Sequence, residues 1–198
     1  MTTRRVTWRR SDEIATDELC TMTIRDGGLS LIGTVLGADR AGTPLRTEYR
    51  VFADGSGLTT AVHVRDLAGF SQRTVALARD AKGGWLVDGL PDRELKGCTD
   101  VDLGFSPATN TLPIRRLRMA IGSSHTIRAA WVRFPELDVV PAAQTYTRLD
   151  EFTYRYASGT FEAELTVDDE DLVTTYAAWQ RTGVGIGPDD TEPLDSHR

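Results

Sequence analysis

An alternation of apolar and polar residues with a period of two runs through most of this chain and restricts its possible folds. It is clearest in residues 160–167, where Phe161, Leu165 and Val167 are separated by polar residues. Successive side chains of a β-strand point to opposite faces of a sheet, so the pattern predicts strands with one buried and one solvated face. One-sided burial of this kind is typical of antiparallel sheets, and the chain is therefore expected to be mostly β.

Segments of this kind recur along the chain between turn-forming residues, among them Gly27-Gly28 and Asp54–Gly57. They predict about eleven or twelve strands. A sheet of that size curls or closes rather than staying flat, so we expect a curled antiparallel sheet or open barrel. The strands are expected at 5–10, 19–24, 29–36, 46–53, 58–65, 71–79, 84–87, 126–134, 137–149, 152–156 and 160–167.

Residues 106–121 interrupt the strand pattern. Ile114, Leu117 and Ile121 recur at helical spacing, Asn110 is a suitable N-cap, and Pro113 stands in the first turn, where its missing N–H does no harm. We therefore expect one short helix near 110–121, lying between two β halves and filling or capping the concave side of the sheet.

Charge and hydrophobicity argue against a nucleic-acid-binding, a secreted or a membrane-spanning protein. The chain carries 23 Lys and Arg against 29 Asp and Glu, a net charge of -6, which argues against nucleic acid as a partner because phosphate backbones require basic surfaces. The charged N-terminus is unlike a signal peptide, and no apolar run has the roughly 18 residues of a membrane span, so a cytoplasmic protein is expected. Cys20 and Cys98 are expected to be buried, reduced thiols.

The chain is expected to form a single domain over 1–182. Residues 183–198 are rich in glycine, proline and acidic residues, which predicts a disordered acidic tail. No motif for a cofactor or a metal is present and we expect neither, and nothing in the sequence specifies an oligomeric state.

Two carboxylates are the first candidates for chemistry. Asp100 and Asp102 are two residues apart, so on a strand they point to the same face and could perform acid–base catalysis, hold a cation or contact a ligand. The alternative is that one or both bind Arg115 or Arg116 and lock the helix onto the sheet. Both interpretations are compatible with the sequence.

The two arginines are adjacent and therefore point about 100° apart on a helix. One is expected to be buried against a carboxylate, leaving the other for a planar anionic group such as phosphate or carboxylate. Asn110, expected to be exposed at the start of the helix, either caps it or contributes donors to a ligand.

Aromatic residues are concentrated late in the chain. Phe152, Tyr154 and Tyr156 lie on one face of one predicted strand and are either core or the lining of a pocket. Flat rings with hydroxyl groups would suit a sugar or an amphipathic chain. The other members of this group are Trp131, Tyr146 and Phe161.

Two strings in this region, G-C-T-D-V-D-L at 97–103 and T-N-T-L-P-I-R-R-L at 109–117, carry a family resemblance. With Tyr49-Arg50-Val51, the segment 144–149 and Tyr154-Arg155-Tyr156, they resemble a bacterial family of glycolipid-binding proteins long classed as a domain of unknown function. The matching strings span roughly residues 8–181.

The resemblance implies a spiral β-roll of two similar halves, similar to that of bacterial carriers of lipoproteins and lipids. It implies a glycolipid-like amphipathic ligand and supplies no catalytic residues. The ligand-binding residues expected from the motif and its neighbours are Asp100, Asp102, Asn110, Thr111, Arg115, Arg116, Arg50, Tyr146 and Tyr154.

Three functions follow as hypotheses. The first is a non-catalytic binding protein that holds a lipid-like or glycolipid-like molecule in a wide apolar cavity on the concave face. The second is a hydrolase or isomerase that uses Asp100 and Asp102 in a common cleft. The third is a structural or interaction protein with a filled core and a free strand edge.

Overall fold

One large sheet dominates the computed structural model, which describes residues 1–68 and 72–186. Within these residues fifteen strands form a single curled antiparallel sheet that does not close, as the alternation predicted. The strands are β1 Thr2–Ser11, β2 Ile14–Arg25, β3 Gly28–Asp39, β4 Pro44–Ala53, β5 Thr59–Asp66, β6 Arg73–Arg79, β7 Trp85–Val87, β8 Leu90–Asp92, β9 Asp100–Leu103, β10 Ser124–Val132, β11 Val139–Arg148, β12 Thr153–Ser158, β13 Phe161–Val167, β14 Val173–Tyr176 and β15 Trp179–Ile186.

The sheet consists of two meanders joined through the ends of the chain. Its strand order is β8-β7-β6-β5-β4-β3-β2-β1-β15-β14-β13-β12-β11-β10-β9, so β1 and β15 meet in the middle. They pair antiparallel from Arg4 opposite Ile186 to Arg10 opposite Trp179. Among the described strands, only β9 and β10 pair in parallel, because the chain crosses over through the helix before it returns to the sheet.

The burial of side chains follows the alternation in the sequence. In β2, Thr16, Glu18, Cys20 and Met22 are buried, whereas Asp17, Leu19 and other intervening residues face outward. The β2–β3 hairpin turns at Asp26 and Gly27, whose φ angles of 51° and 81° are those that a two-residue hairpin turn requires. The turn expected near Gly27-Gly28 is therefore present and lies at Asp26 and Gly27.

The crossover segment between β8 and β10 occupies the concave side of the sheet. It contains a single 3-10 turn at Ala108–Asn110 and helix α1 at Thr111–Leu117. Phe105 packs edge-on against Tyr49 of β4, with ring centroids 6.1 Å apart. The buried residues of the segment include Leu95, Val101, Leu103, Phe105, Ala108, Leu112, Ile114 and Met119.

The crossover segment fills much of the concave side of the sheet, where a wide apolar cavity was expected. Two cavities in the described part of the chain remain at the two ends of the roll, and a third lies on its outer face.

Helix α1 ends earlier than its apolar spacing predicted. Arg118 adopts a left-handed conformation with φ 44° and donates its N–H to the carbonyl of Ile114 at 3.3 Å. Such a residue terminates a helix. The single short helix is present, but Ile121 lies beyond it and is exposed.

Four strands were absent from the expected set. β8 and β9 are too short to show an alternation of apolar and polar residues. β14 and β15 are joined by a turn at Ala177-Ala178, which lacks the glycine, asparagine or proline that usually marks a turn.

The last strand continues to Ile186, so the domain extends past the expected boundary at 182. The remainder of the expected tail, 187–198, lies outside the described residues and its disorder stays a prediction.

Candidate functional site

A cavity of about 700 Å³ lies at the end of the roll where the β12–β13 and β14–β15 hairpins turn, and we call it the aromatic cavity. The beginning of β11 forms an apolar wall, and residues 102–106 contribute polar groups. A second wall consists of the rings of Trp131, Tyr156, Phe161, Tyr176 and Trp179.

The rings of this wall hold one another in place. Tyr176 and Trp179 are directly opposite in the β14–β15 hairpin, and their rings stack with centroids 5.6 Å apart and planes 9° apart. Tyr156 meets Tyr176 edge-on at 5.6 Å and Phe161 at 6.0 Å. Aromatic pairs in these geometries are favourable beyond the area that they bury, so the wall is preformed.

An ion pair lies at the edge of the aromatic cavity. The guanidinium of Arg10 lies 4.5 Å above the Trp179 ring and donates to Asp12 through Nε at 2.8 Å and Nη2 at 2.9 Å. The cation–π contact restrains the tryptophan, and the bidentate pair restrains the arginine.

Asp102 is the carboxylate in the aromatic cavity. It stands opposite Trp131 in the β9–β10 pair and accepts a hydrogen bond from Gln144 Nε2 at 2.6 Å. Burial raises the pKa of Asp102 to about 6, against the opposing effect of hydrogen bonds from Gln144 and Thr109. The group is therefore mostly ionised at neutral pH and becomes protonated in mild acid.

A second carboxyl group lies behind the aromatic cavity. Ser106 lines the cavity and donates through Oγ to Glu18 Oε1 at 2.7 Å, and the hydroxyl of Tyr49 donates to the same oxygen. Glu18 is buried, and burial raises its pKa to about 7. Ser106 thus links the aromatic cavity through a hydrogen bond to a buried, titratable carboxyl group.

Asp100 does not share the cavity of Asp102. It is 1% exposed and binds Arg116, whose Nη2 lies 2.5 Å from Oδ2, while Thr99 Oγ1 donates to the same oxygen at 2.7 Å. The predicted common cleft of two carboxylates is therefore wrong. The alternative interpretation, in which an arginine locks the helix onto the sheet through a carboxylate, is confirmed for this pair.

Asn110, Thr111 and Tyr146 lie in the core. The hydroxyl of Tyr146 donates to Asn110 Oδ1 at 2.8 Å, and Asn110 Nδ2 donates to the carbonyl of Pro107 at 3.1 Å. Asn110 is 5% exposed and its side chain caps nothing, so its expected exposure is wrong. The reason is that the 3-10 turn runs directly into α1 and gives Asn110 helical dihedral angles.

The remaining candidates are distributed over two other surfaces. Arg115, Arg116 and Tyr154 line a cavity at the opposite end of the roll, and Arg115 Nη1 donates to the carbonyl of Glu170 at 2.8 Å. Arg50 lies on the outer face of the sheet beside His63. The structure therefore places only Asp102, of the nine expected residues, in the aromatic cavity.

Sequence reasoning passed over several residues of the aromatic cavity. Tyr176 has no local sign of function, and neither has Gln144, which does not line the cavity but donates to Asp102. Trp179 follows a turn without turn-forming residues, so its strand was missed. Tyr156 belongs to the aromatic stripe predicted to be either core or pocket lining, and Trp131 and Phe161 belong to the same late aromatic group.

Residues 1–68 and 72–186 contain no group of three or more His, Cys, Asp and Glu side chains placed to hold a metal ion. In the same part of the chain, no helix has the length and apolar character required to cross a membrane.

Comparisons with known proteins agree over nearly the whole roll. A family model described as "Putative glycolipid-binding" matches residues 5–181. Among solved structures, the chain is similar to a DUF1089 family protein from Pseudomonas aeruginosa, with 32% sequence identity and a TM-score of 0.75, over 88% of this chain and 95% of the other. A comparison with curated proteins gives no match.

Proposed function

The chain belongs to this glycolipid-binding family, as its motifs predicted, and we propose that the aromatic cavity binds the carbohydrate head of a glycolipid-like amphipathic molecule. The observation that carries the proposal is the presence of five aromatic side chains and the Asp102 carboxylate in one cavity of about 700 Å³. That volume lies within the roughly 300–1,000 Å³ of small-molecule sites.

The chemistry of the wall suits a sugar. The C–H faces of a pyranose pack on flat aromatic surfaces such as those of Tyr156 and Trp131, which also present a hydroxyl and an indole N–H. Asp102 already accepts a hydrogen bond from Gln144 and has further acceptor capacity for sugar hydroxyl groups. A hydrogen bond to a charged acceptor contributes roughly 1.5–3 kcal/mol.

The opposite wall suits the beginning of an apolar chain. Val140, Pro141 and Ala142 of β11 are half-buried and line the cavity beside Leu103. Each buried methylene contributes about 0.8 kcal/mol, so an eight-carbon chain would contribute on the order of 6 kcal/mol before the cost of ordering it. Micromolar affinity then requires no covalent chemistry.

A hydrolase is the second candidate, because the raised pKa of Asp102 in a cavity is typical of a general acid. Glycoside hydrolysis uses a pair of carboxyl groups. Asp100 is buried in its pair with Arg116, and Asp12 is held by Arg10, so neither is poised as the second group. We therefore propose binding without catalysis.

The test is calorimetric titration with octyl glucoside, octyl galactoside and octyl mannoside below their micelle concentrations, with octanol and the methyl glycosides as controls. We expect at least one octyl glycoside to bind more tightly than both of its fragments. Its affinity should fall about tenfold in Asp102→Asn and in Tyr156→Leu, and should be unchanged in Phe152→Leu, whose side chain is 42% exposed and outside the cavity.

Binding to the wild-type protein should also weaken as the pH falls below about 6, because Asp102 then loses its charge, and the Asp102→Asn variant should lack this dependence. Failure of all three octyl glycosides to bind, or equal affinities in the cavity variants and the control, would contradict the proposal. Release of free sugar by the wild-type protein and not by Asp102→Asn would establish the hydrolase instead.

A further inference from the structure

The second end of the roll holds a cavity of about 530 Å³ that is rich in arginine, and we call it the arginine cavity. It lies where β11 ends, β12 begins and the β2–β3 and β4–β5 hairpins turn. Its basic residues are Arg115, Arg116, Arg118 and Arg148, and its acidic residues are Asp54 and Asp171. It shares no lining residue with the aromatic cavity.

Two of the arginine charges are compensated by carboxylates. Arg116 is paired with the buried Asp100. Arg115 Nη1 lies 3.6 Å from Asp171 Oδ2. Asp54 forms its hydrogen bonds within the β4–β5 turn and not with an arginine. Its Oδ1 accepts from Ser56 Oγ at 2.6 Å and from the backbone N–H of Ser56 at 2.9 Å.

The other two arginines form no ion pair among the described residues, although both act electrostatically on Asp171. Arg148 donates only to backbone carbonyls, those of Asp150 at 3.0 Å, Met119 at 2.8 Å and Glu151 at 2.8 Å. Carbonyl groups satisfy the N–H donors and orient the guanidinium but do not neutralise it. The exposed Arg118 side chain makes neither a hydrogen bond nor an ion pair within the described part of the chain.

The wall that faces these arginines is formed by glycine-rich turns. Gly57 has φ 81°, and an added Cβ there would lie 3.0 Å from Cβ of Arg116, so the β4–β5 turn packs closely on α1. Gly27 and Gly55 belong to the two adjacent hairpin turns, and a Cβ built on Gly27 lies 3.5 Å from Cα of Gly55. The absence of side chains at Gly27 and Gly57 lets the two turns lie close to the arginines.

We propose that the arginine cavity is an anion site that binds a phosphate group. Guanidinium groups recognise phosphate through planar, paired hydrogen bonds, and Arg148 is already oriented by its three carbonyl acceptors. The site is separate from the one proposed for the sugar, although β11 and β12 contribute to both: Arg148 and Tyr154 at this end, Val140 and Tyr156 at the other.

The test exploits Gly55, which lines the arginine cavity. A Cβ built on Gly55 meets no atom closer than 3.9 Å, so side chains are sterically tolerated there. Gly55→Asp adds a negative charge to the cavity, and Gly55→Asn adds a side chain of the same size without the charge. Inorganic phosphate is titrated into each protein by calorimetry and in thermal unfolding, against sodium chloride at equal ionic strength.

The wild-type protein and Gly55→Asn should show a phosphate-specific rise in unfolding temperature and measurable binding. The affinity should fall about tenfold in Gly55→Asp and in Arg118→Gln, with the unfolding temperature in chloride unchanged for Arg118→Gln because that side chain has no partner to lose. Phosphate binding should persist in Asp102→Asn, which separates this proposal from the one on the aromatic cavity.

Equal responses of the wild-type protein to phosphate and chloride, or equal affinities of Gly55→Asp and Gly55→Asn, would overturn the proposal. The source of the phosphate is distinguished by sedimentation with vesicles of phosphatidylglycerol and of phosphatidylcholine. Binding to inorganic phosphate and to phosphatidylglycerol vesicles supports a site for a lipid head group, whereas binding to inorganic phosphate alone supports a site for a soluble phosphate.

Discussion

Glu18 is the residue whose environment departs furthest from that of a surface carboxylate. It is buried, Tyr49 and Ser106 both donate to its Oε1, and Oε2 has no hydrogen-bond partner among the described residues. Burial of a carboxylate without a cationic partner favours the protonated form. The pKa of the group accordingly rises from 4.5 to about 7.

This raised pKa makes the stability of the protein dependent on pH. Between pH 4.5 and about 7 the folded protein keeps the proton on Glu18, whereas the unfolded chain has released it. The free energy of unfolding should therefore fall as the pH rises through this range, by about 3 kcal/mol in total. Urea denaturation at a series of pH values measures the slope.

Glu18→Gln retains an acceptor for Tyr49 and Ser106 but does not titrate, so most of this slope should disappear. The exposed Glu164→Gln serves as the matched control and should retain it. Asp102, whose pKa is raised from 3.8 to about 6, should contribute a slope of similar size below pH 6 in both variants, so the effect of Glu18→Gln is clearest between pH 6 and 7. An identical pH dependence in Glu18→Gln and the wild-type protein would show that Glu18 ionises normally in the fold.

At the scale of single elements, the β14–β15 hairpin positions the aromatic cavity. Tyr176 and Trp179 stack across a two-residue turn formed by Ala177 and Ala178. Ala177 has φ 47°, in the left-handed region that an L-residue with a Cβ adopts at a cost of about 1 kcal/mol or more. The turn therefore carries local strain beside the proposed sugar site.

Replacement of Ala177 by glycine should relieve this strain. We expect Ala177→Gly to raise the free energy of unfolding by about 0.5–1 kcal/mol, since the relief exceeds the added entropy of the unfolded chain. Ala178→Gly is the matched control, because Ala178 has no positive φ, and it should be neutral or destabilising. Denaturant titration of the wild-type protein and the two variants measures their free energies of unfolding. A loss of stability in Ala177→Gly would show that Ala177 is not strained.

Helix α1 holds the crossover segment against the sheet through Arg116. Arg116 carries a charge into the core of the roll and binds Asp100 there, with Arg116 held against Gly57 of the β4–β5 turn. Removal of one partner of a buried ion pair leaves the other uncompensated, which typically costs about 3–5 kcal/mol. A loss of ligand binding in Arg116→Ala would thus report unfolding rather than a lost contact.

At the scale of the whole molecule, the fold depends on the pairing of its first and last strands. β1 joins the two meanders through β15, and Trp8 of β1 donates its indole N–H to the carbonyl of Val173 at 2.8 Å. Without β15, both β1 and β14 would become free edges, and the apolar faces of the two meanders would separate.

Two shortened chains test this closure. A chain that ends at Ile186 lacks only residues expected from composition to be disordered, and its unfolding free energy should change by less than about 0.5 kcal/mol. A chain that ends at Ala178 lacks β15 and should lose cooperative unfolding, measured by circular dichroism during heating. Equal unfolding transitions in both shortened chains would show that the β1–β15 pairing is dispensable.

The mostly β fold, the curl of the sheet, the short helix and the family could all be predicted from the sequence. Each of these depends on information that is local, because a period of two selects a buried face, and the strings at 97–103 and 109–117 are contiguous. Strands were missed only where they are short, as in β8 and β9, or where the turn has no turn-forming residue, as at Ala177.

Which candidate residues share a cavity depends on the tertiary structure. Asp100 and Asp102 are two residues apart, yet one is buried against Arg116 and the other lines a cavity with Tyr176 and Trp179 from the far end of the chain. Which side chains meet depends on how the sheet curls and on how the crossover segment fills its concave side. Both result from packing between residues distant in sequence, and no local pattern encodes that packing.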